Sequence, residues 1–432
     1  MSRKFLVSAL LIALSACAAP PAALAPKLGN TETDTTSSNI SLMISGDPTE
    51  LNAFQDLVKT FGEKNPGITV ALTHIPSGAD YRKRLAADFA AGTPPDVFFL
   101  NYHRAVPYSA KNQLEPLNEY LAKSSVIKAD DFYEQALNAY RYEGKLNCLP
   151  QNISSPVMYY NKALFDQAQV PYPKNDWAWS DFLNAAQKIA ALKSPEGPIY
   201  GYGAEISFFR IAPFVWANGG EVVDQQMRPT QLLLSTPAAQ EAIQWYVDFQ
   251  TKYKISPDAA ADKSEDAPTR FVNGRLGLFM DSRRVVPTFR ATIGNKFDWD
   301  VAPIPAGKTK ATILHSDGYC IAASSQHKDA AWKLIEFFAS PAGQTKLTEI
   351  GRLVPSLKAL AQSPVFLGPN AKPKNSQIWL DAIPNIRLAP AHPEWITLEG
   401  KITKELEGAY YGAKTVAEVT TSLETQAAEL LK

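Results

Sequence analysis

The feature that most constrains the fold is an alternation of short apolar strands and amphipathic helices that begins at residue 40. Ile40–Ser45 predicts a strand, Glu50–Asn65 a helix closed by Asn-Pro-Gly, and Ile68–Thr73 a second strand, which together make a βαβ unit. A second helix, Asp80–Ala91, ends at Gly92 and leads into the apolar strand of TPPDVFFL. The alternation predicts a parallel sheet covered by helices, with ligand sites at the carboxyl ends of its strands.

The same α/β pattern continues along the chain. Val157–Phe165 predicts a strand that runs into a helix, and Trp177–Leu192 predicts a helix with Ser180 as its N-cap. Leu276–Met280 and Trp299–Ala302 predict short strands.

Proline positions and the C-terminal pattern define three more helices. One begins at Pro237 after Thr236, another breaks at Ser340-Pro341 and resumes, and Val416–Leu431 is amphipathic. A chain of 432 residues exceeds one ordinary core, so two lobes are expected. No long linker follows residue 40, so the lobes must share interleaved segments.

Charge and composition limit the partners. The 43 basic residues balance the 43 acidic ones, which argues against a nucleic-acid partner. The chain holds 8 Trp, 17 Tyr and 20 Phe, which suits a surface that stacks on flat ligand faces.

The N-terminus predicts export. Two basic residues precede the apolar run Phe5–Leu14, which is too short to span a bilayer, and the run ends in Leu-Ser-Ala-Cys17. That ending resembles the bacterial lipobox, so we expect residues 1–16 to be a signal peptide and Cys17 to carry the lipid. Residues 17–39 lack an apolar period and predict a flexible tether. The alternative is an ordinary signal peptide cut near Ala19–Ala25.

The two remaining cysteines, Cys148 and Cys320, would then lie in an oxidising compartment. Both sit in apolar strand-like runs. A disulfide and two buried free thiols both fit that pattern, so the sequence leaves the pairing open.

Several motifs in order resemble one family. They are FAAGTPPDVFFL, LPQNISSPVMYYNKALFDQAQV, WANGGEVVD, STPAAQEAI and FVNGRLGLFMDSRR. Together they resemble the extracellular solute-binding proteins of ABC importers, in the sugar-binding group that is similar to the maltose-binding protein, here in lipoprotein form.

The resemblance implies a type II periplasmic-binding-protein fold, in which two α/β lobes enclose the ligand and close about a hinge. We expect hinge crossings near Leu149–Ser155, Pro303–Lys308 and Pro364–Lys374. The N-terminal lobe is predicted to comprise 40–150 and 308–365, and the C-terminal lobe 151–307 and 366–432. The implied role is capture of a small saccharide or polyol for the transmembrane subunits of an ABC permease. The protein would be a monomer without a cofactor or metal, held outside the cytoplasm or in the periplasm.

A sugar site needs acceptor carboxylates or amides, some cationic donors and aromatic rings. Asp47 and the segment Asn101, His103 and Arg104 follow the first and third strands, and the resemblance aligns Asp47, His103 and Arg104 with ligand contacts. His103 stands where the relative has a carboxylate, which makes maltose itself doubtful. The alternatives are a helix N-cap for Asp47 and ordinary loop positions for the His-Arg pair.

Two further positions flank the first predicted crossing and a helix start. Ser154 stands where the relative has a contacting Glu, and Gln151 and Asn152 are candidate substitutes or hinge-stabilising amides. Phe209 lies where the relative has a stacking aromatic, although an aromatic before a helix is often part of the core.

The segment MDSRR departs most from the resemblance. Arg284 replaces a stacking Trp, beside Arg283 and after Asp281. These groups predict either a polar ligand gripped by guanidinium groups or a solvated helix start whose arginines point outward.

The last candidates come from two C-terminal segments. Asp317, Gly318 and Tyr319 mark a strand entry where the family brings backbone close to the sugar. Trp395 ends the segment IPNIRLAPAHPEW, which resembles the segment that leads to a stacking Trp; packing on the lobe is its alternative.

Two other functions compete. An Arg283/Arg284 pair could receive the phosphate of a compound such as glycerol 3-phosphate. An exported glycoside hydrolase would need two carboxylates about 5–9.5 Å apart, and Asp47, Asp281 and Asp317 are the candidates. The sequence contains no nucleophile elbow, HExxH or paired-cysteine metal motif, so we predict a binding protein and no enzyme.

Overall fold

The computed structural model describes residues 38–368 and 370–432. The predicted signal peptide, Cys17 and the tether lie outside these residues, except that Ser38 and Asn39 belong to the first strand and not to the tether. Within the described part of the chain, no helix combines the length and apolarity needed to cross a membrane.

The strands are, in chain order, β1 (Ser38–Ser45), β2 (Ile68–Ile75), β3 (Val97–Asn101), β4 (Arg141–Tyr142), β5 (Lys145–Leu146), β6 (Cys148–Pro150), β7 (Val157–Asn161), β8 (Tyr200–Gly203), β9 (Leu276–Asp281), β10 (Trp299–Ala302), β11 (Thr312–Ile313), β12 (Asp317–Ile321) and β13 (Ile386–Arg387).

The α-helices are α1 (Pro48–Lys64), α2 (Gly78–Ala90), α3 (Tyr102–Ala110), α4 (Asn118–Lys123), α5 (Glu134–Asn138), α6 (Lys162–Gln167), α7 (Trp179–Ala190), α8 (Phe208–Ala217), α9 (Pro237–Thr251), α10 (Ala259–Ser264), α11 (Ala267–Val272), α12 (Val286–Ile293), α13 (Lys328–Ala339), α14 (Pro341–Glu349), α15 (Lys358–Ala361), α16 (Pro364–Leu367), α17 (Gln377–Ala382), α18 (Trp395–Tyr410) and α19 (Val416–Leu430). Short 3₁₀ turns occupy Ala129–Asp131, Arg283–Val285 and Ile383–Asn385.

The first sheet has the strand order β2-β1-β3-β12-β6. β1 runs parallel to β2 and β3, as the βαβ pattern predicts. β12 runs antiparallel to both β3 and β6, so the sheet is mixed and not wholly parallel. The prediction failed there because β12 arrives from a distant part of the chain, with no βαβ crossover to fix its direction.

The second sheet has the order β10-β7-β9-β8. β7 is antiparallel to β10 and β9, whereas β8 is parallel to β9. Its core is an aromatic cluster in which the ring of Tyr159 lies 5.4 Å from Phe289 and 5.9 Å from Trp299. The chain passes from the first sheet to the second between Pro150 and Val157.

Most predicted helix boundaries are confirmed. α9 begins at Pro237 directly after Thr236, and Ser340 separates α13 from α14. Ser180 is not the N-cap predicted for α7: the helix begins one residue earlier, and the Asp181 carboxylate accepts a hydrogen bond from the Ala178 N–H at 2.9 Å. A carboxylate in the first turn satisfies an amide that would otherwise lack a partner.

Cys148 and Cys320 form a disulfide, with their Cα atoms 4.4 Å apart. The two residues face each other in the antiparallel register of β6 and β12, and both are fully buried. Of the two alternatives that the sequence leaves open, the structure contains the bridge. The disulfide links β6, the edge strand from which the chain passes to the second sheet, to the neighbouring strand β12.

Candidate ligand-binding site

A cavity of about 910 Å³ lies between the carboxyl ends of strands from the two sheets. Ser45 and Asn101 border it at the ends of β1 and β3, and Asp281 borders it at the end of β9. This is the edge at which an α/β sheet is expected to bind its ligand.

The cavity brings together most of the predicted site residues. Those in its lining are Asn101, His103, Arg104, Asn152, Ser154, Phe209, Asp281, Arg284 and Asp317. Asp47, Gly318, Tyr319 and Trp395 are not among the residues that line it.

The residues outside the lining have structural roles. The Asp47 carboxylate accepts from the Glu50 N–H at 2.9 Å and caps α1, which was the alternative to ligand contact. Tyr319 is fully buried, and its hydroxyl accepts from Gln151 Nε2 at 3.0 Å. A Cβ at Gly318 would lie 2.6 Å from Cζ of Tyr140, so packing against that ring requires the glycine.

Trp395 does not line the cavity as the predicted stacking aromatic would; it packs on the lobe, which is the alternative that the sequence leaves open. It is fully buried in the first turn of α18, with its ring 5.1 Å from that of Phe208. The residues that α18 presents to the cavity are Glu399, one turn further on, and then Thr403 and Glu407.

Asp281 is held by two guanidinium groups. Arg284 donates from Nε and Nη2 to its two oxygens at 3.0 and 2.9 Å, and Nη2 of Arg210 lies 3.1 Å from Oδ1. Burial favours the neutral acid, but attraction to Arg284 and Arg210 outweighs burial and lowers the pKa of Asp281. Asp281 is therefore an ionised acceptor at neutral pH, and its two guanidinium partners fix its position.

Arg283 points away from the cavity. It is buried, with its guanidinium 4.4 Å from the ring of Phe366 and 4.8 Å from that of Trp379, and Nη1 donates to Ser376 Oγ at 3.2 Å. Burial lowers the pKa of Arg283 to about 9. The two arginines therefore differ: Arg283 lies in the core and does not reach the cavity, whereas Arg284 lines the cavity and donates to Asp281.

A second ion pair was not predicted. Nε of Arg352 lies 3.1 Å from Oε2 of Glu50, and both residues line the cavity. Burial is the main influence on Glu50 and raises its pKa against the attraction of Arg352. Glu50 stands three residues after the capping Asp47, where a glutamate is typical of a helix start, so its sequence position indicated no other role.

A network of polar side chains extends along the cavity from Asp317 to Glu399. Asn101 connects them: its Nδ2 lies 3.4 Å from Oδ1 of Asp317 and its Oδ1 lies 2.6 Å from Nδ1 of His103. Nε2 of His103 is 3.4 Å from Oε2 of Glu399. Burial lowers the pKa of His103 and raises that of Glu399 to about 7.

Phe209 lies between these groups. Its ring is 4.8 Å from that of His103 and 5.1 Å from that of His315. His315 stands in the HSDGYC segment but was not predicted. Among the described residues, no group of three or more His, Cys, Asp or Glu side chains is arranged to hold a metal ion.

Two sheets with a polar cavity between their strand ends define a class: two-lobed proteins that enclose a small solute. The family of bacterial extracellular solute-binding proteins matches residues 45–345. The chain belongs to this family, and membership implies an exported protein.

Named relatives and solved structures agree with this assignment. A Brucella abortus protein named as a binding protein is 27% identical over 366 residues, covering 83% of this chain and 85% of that one. A mannitol-binding protein of Pseudomonas aeruginosa is 24% identical over 356 residues, covering 78% and 77%.

The fold matches a solved ABC substrate-binding protein of Listeria monocytogenes in complex with cycloalternan. The TM-score is 0.83 at 24% identity, with 91% of this chain and 98% of that chain covered. The chain therefore has the two-lobed type II fold that the sequence predicts.

Proposed function

We propose that this protein captures a small saccharide or polyol between its lobes and delivers it to the transmembrane subunits of an ABC permease. The observation that carries the proposal is the paired carboxylate Asp281, fixed by Arg210 and Arg284 at the edge of a large interlobe cavity. A fixed, ionised acceptor binds ligand hydroxyls without the cost of ordering a free side chain.

The rest of the lining suits the same ligand class. Amides at Asn101 and Asn152 both donate and accept, and Phe209 supplies an apolar face. A mannitol-binding relative and a neighbour solved with cycloalternan bind hydroxyl-rich, uncharged compounds, which supports the proposal.

The phosphorylated-polyol alternative lacks the Arg283/Arg284 pair on which it was based. Arg283 is buried, and Arg284 and Arg210 both engage Asp281. Carboxylates also outnumber guanidinium groups in the lining. A phosphate would be repelled by these carboxylates, so we infer an uncharged ligand. We also infer binding without catalysis, because the family and the named relatives are binding proteins.

The protein's attachment to the membrane and the bounds of its lobes belong to the same proposal. We propose a lipid on Cys17, a tether to the membrane surface and a monomeric receptor with the lobe bounds given above. The tether would keep the binding lobes near the permease.

Isothermal titration calorimetry of the full chain against a panel of monosaccharides, disaccharides, polyols and their phosphates tests the function. We expect at least one uncharged member to bind with a Kd of about 1 µM or tighter. Binding should be lost in Asp281→Asn and kept in Glu119→Gln, a matched change at an exposed ion pair with Lys123. Binding of phosphates alone, or turnover of a sugar, would overturn the proposal.

A further inference from the structure

His103 and Glu399 face each other across the cavity with incomplete hydrogen bonding. His103 is 4% exposed, and its Nε2 lies 3.4 Å from Oε2 of Glu399. Within the described part of the chain, neither of these two buried atoms has a hydrogen-bond partner. Buried polar atoms in this state are costly unless something else completes them.

The neighbouring contacts determine which atom accepts. The Asp317 carboxylate requires a donor, so the amide nitrogen of Asn101 faces it at 3.4 Å. The amide oxygen of Asn101 then faces Nδ1 of His103 at 2.6 Å, and that nitrogen must carry the imidazole proton. Nε2 of His103 is therefore an acceptor that points at a carboxyl oxygen, which is also an acceptor when ionised.

The charged groups around this pair do not supply the missing donor. From α3, Nη2 of Arg104 lies 3.7 Å from Oε1 of Glu399, the other carboxyl oxygen. Arg82 on α2, Glu205 after β8 and His315 before β12 act on the pair through longer-range charge only. Two acceptors 3.4 Å apart need hydrogens from elsewhere.

We propose that His103 and Glu399 form a subsite for two neighbouring hydroxyl groups of the ligand, one donating to each residue, and that these replace a proton held by Glu399 in the ligand-free protein. The displaced proton leaves to solvent, so the ligand-free carboxylic acid becomes a ligand-bound carboxylate. The inference rests on the proposed function and adds to it: the ligand must carry a vicinal diol at this end of the cavity.

Burial supports this assignment of the proton. It raises the pKa of Glu399 to about 7, while burial and the nearby Arg104 lower that of His103. At neutral pH the carboxyl is thus partly protonated and the imidazole is neutral. An anionic ligand group would be disfavoured here, because binding leaves Glu399 ionised.

The linkage fixes the sign of the pH effect. Below pH 7, binding must remove a proton, so affinity rises with pH by up to about tenfold per unit and becomes constant above the pKa. Proton release is measurable because the heat of binding then depends on the ionisation enthalpy of the buffer.

The experiment titrates the full chain with D-mannitol, D-glucose and maltose between pH 5.5 and 8.5, at each pH in two buffers of different ionisation enthalpy. We expect every probe that binds to release close to one proton at pH 6, and about fivefold weaker binding there than at pH 7. Glu399→Gln should flatten the pH profile to within about twofold. Glu394→Gln is the matched control, since Glu394 is exposed just before α18 and outside the lining, and it should keep the wild-type profile.

Different outcomes would contradict the subsite and the proposed function. Binding without proton release in the wild-type protein overturns the subsite and leaves the proposed function standing. Absence of binding by all three probes and by the wider panel overturns both. The wild-type proton count needs no variant, so a folding defect in Glu399→Gln, checked by circular dichroism, does not affect it.

Discussion

Two carboxyl groups in the same cavity, Asp281 and Glu399, have opposite electrostatic surroundings. Both are mostly buried, and burial alone raises the pKa of each. Asp281 has two guanidinium partners at hydrogen-bonding distance, whereas the nearest guanidinium to Glu399 is 3.7 Å away. The pKa of the first falls and that of the second rises to about 7. The number of close cations, and not the depth of burial, decides whether a buried acid is a fixed charge or a proton carrier.

The largest expected effect comes from removing the fixed charge. Asp281→Asn leaves Arg210, which is 2% exposed, without its carboxylate, and an uncompensated buried charge costs about 3–5 kcal/mol. Chemical denaturation should show this loss at pH 7. Glu119→Gln, at the exposed pair with Lys123, should change stability by no more than about 0.5 kcal/mol. Equal effects in the two variants would mean that the Asp281 cluster contributes no more than a surface pair.

The contributions of Glu399 and Asp281 to stability should change with pH in opposite directions. The folded pKa of Glu399 is raised, so its contribution is full below the unfolded value near 4.5 and is lost as pH rises toward about 7. We expect the wild-type protein to lose about 2 kcal/mol relative to Glu399→Gln between pH 4.5 and 7. The folded pKa of Asp281 is lowered, so its contribution is lost only as pH falls below the unfolded value near 3.8.

Urea denaturation of both proteins at several pH values measures this difference. A constant gap between wild type and Glu399→Gln across pH 4.5–7 would show that folding does not change the pKa of Glu399. That result would remove the contrast with Asp281.

The sequence predicted most strands of the two large sheets and singled out Asp281, but it did not predict β8 or the direction in which the neighbours of Asp281 point. β9 extends one residue beyond the predicted Leu276–Met280 and ends at Asp281, and a strand end faces the ligand edge of a sheet. Whether Arg283 or Arg284 faces the cavity depends on one 3₁₀ turn, Arg283–Val285, and on the rings of Phe366 and Trp379, which are remote in sequence. No local pattern contains that information.

The lack of a local signal also explains why Trp395 was predicted as a ligand contact and Glu399 was not. The segment after Trp395 was not predicted as a helix, so the sequence did not indicate which of its side chains would face the cavity. α18 begins at Trp395, and its buried positions Leu398, Ile402 and Leu406 form the face that packs against the core. Glu399 therefore lies on the side that faces the cavity. Arg352 lies beyond the end of α14, and its pairing with Glu50 across about 300 positions of sequence has no local signal.

The smallest expected effect concerns the ring between the two acids. Phe209 contacts His103 on the Glu399 side and precedes Arg210 on the Asp281 side, so it is the apolar surface that both groups share. Phe209→Leu should remove an aromatic contact of about 1 kcal/mol and weaken mannitol or sugar binding about fivefold. Phe208→Leu is the matched neighbour: its ring packs on Trp395 in the core, so it should lower stability by about 1 kcal/mol and leave affinity within about twofold. Calorimetry at pH 7.5 with parallel denaturation separates the two variants. A larger loss of affinity in Phe208→Leu than in Phe209→Leu would mean that the ligand approaches the Trp395 face of α8, and that the two acids do not share one site.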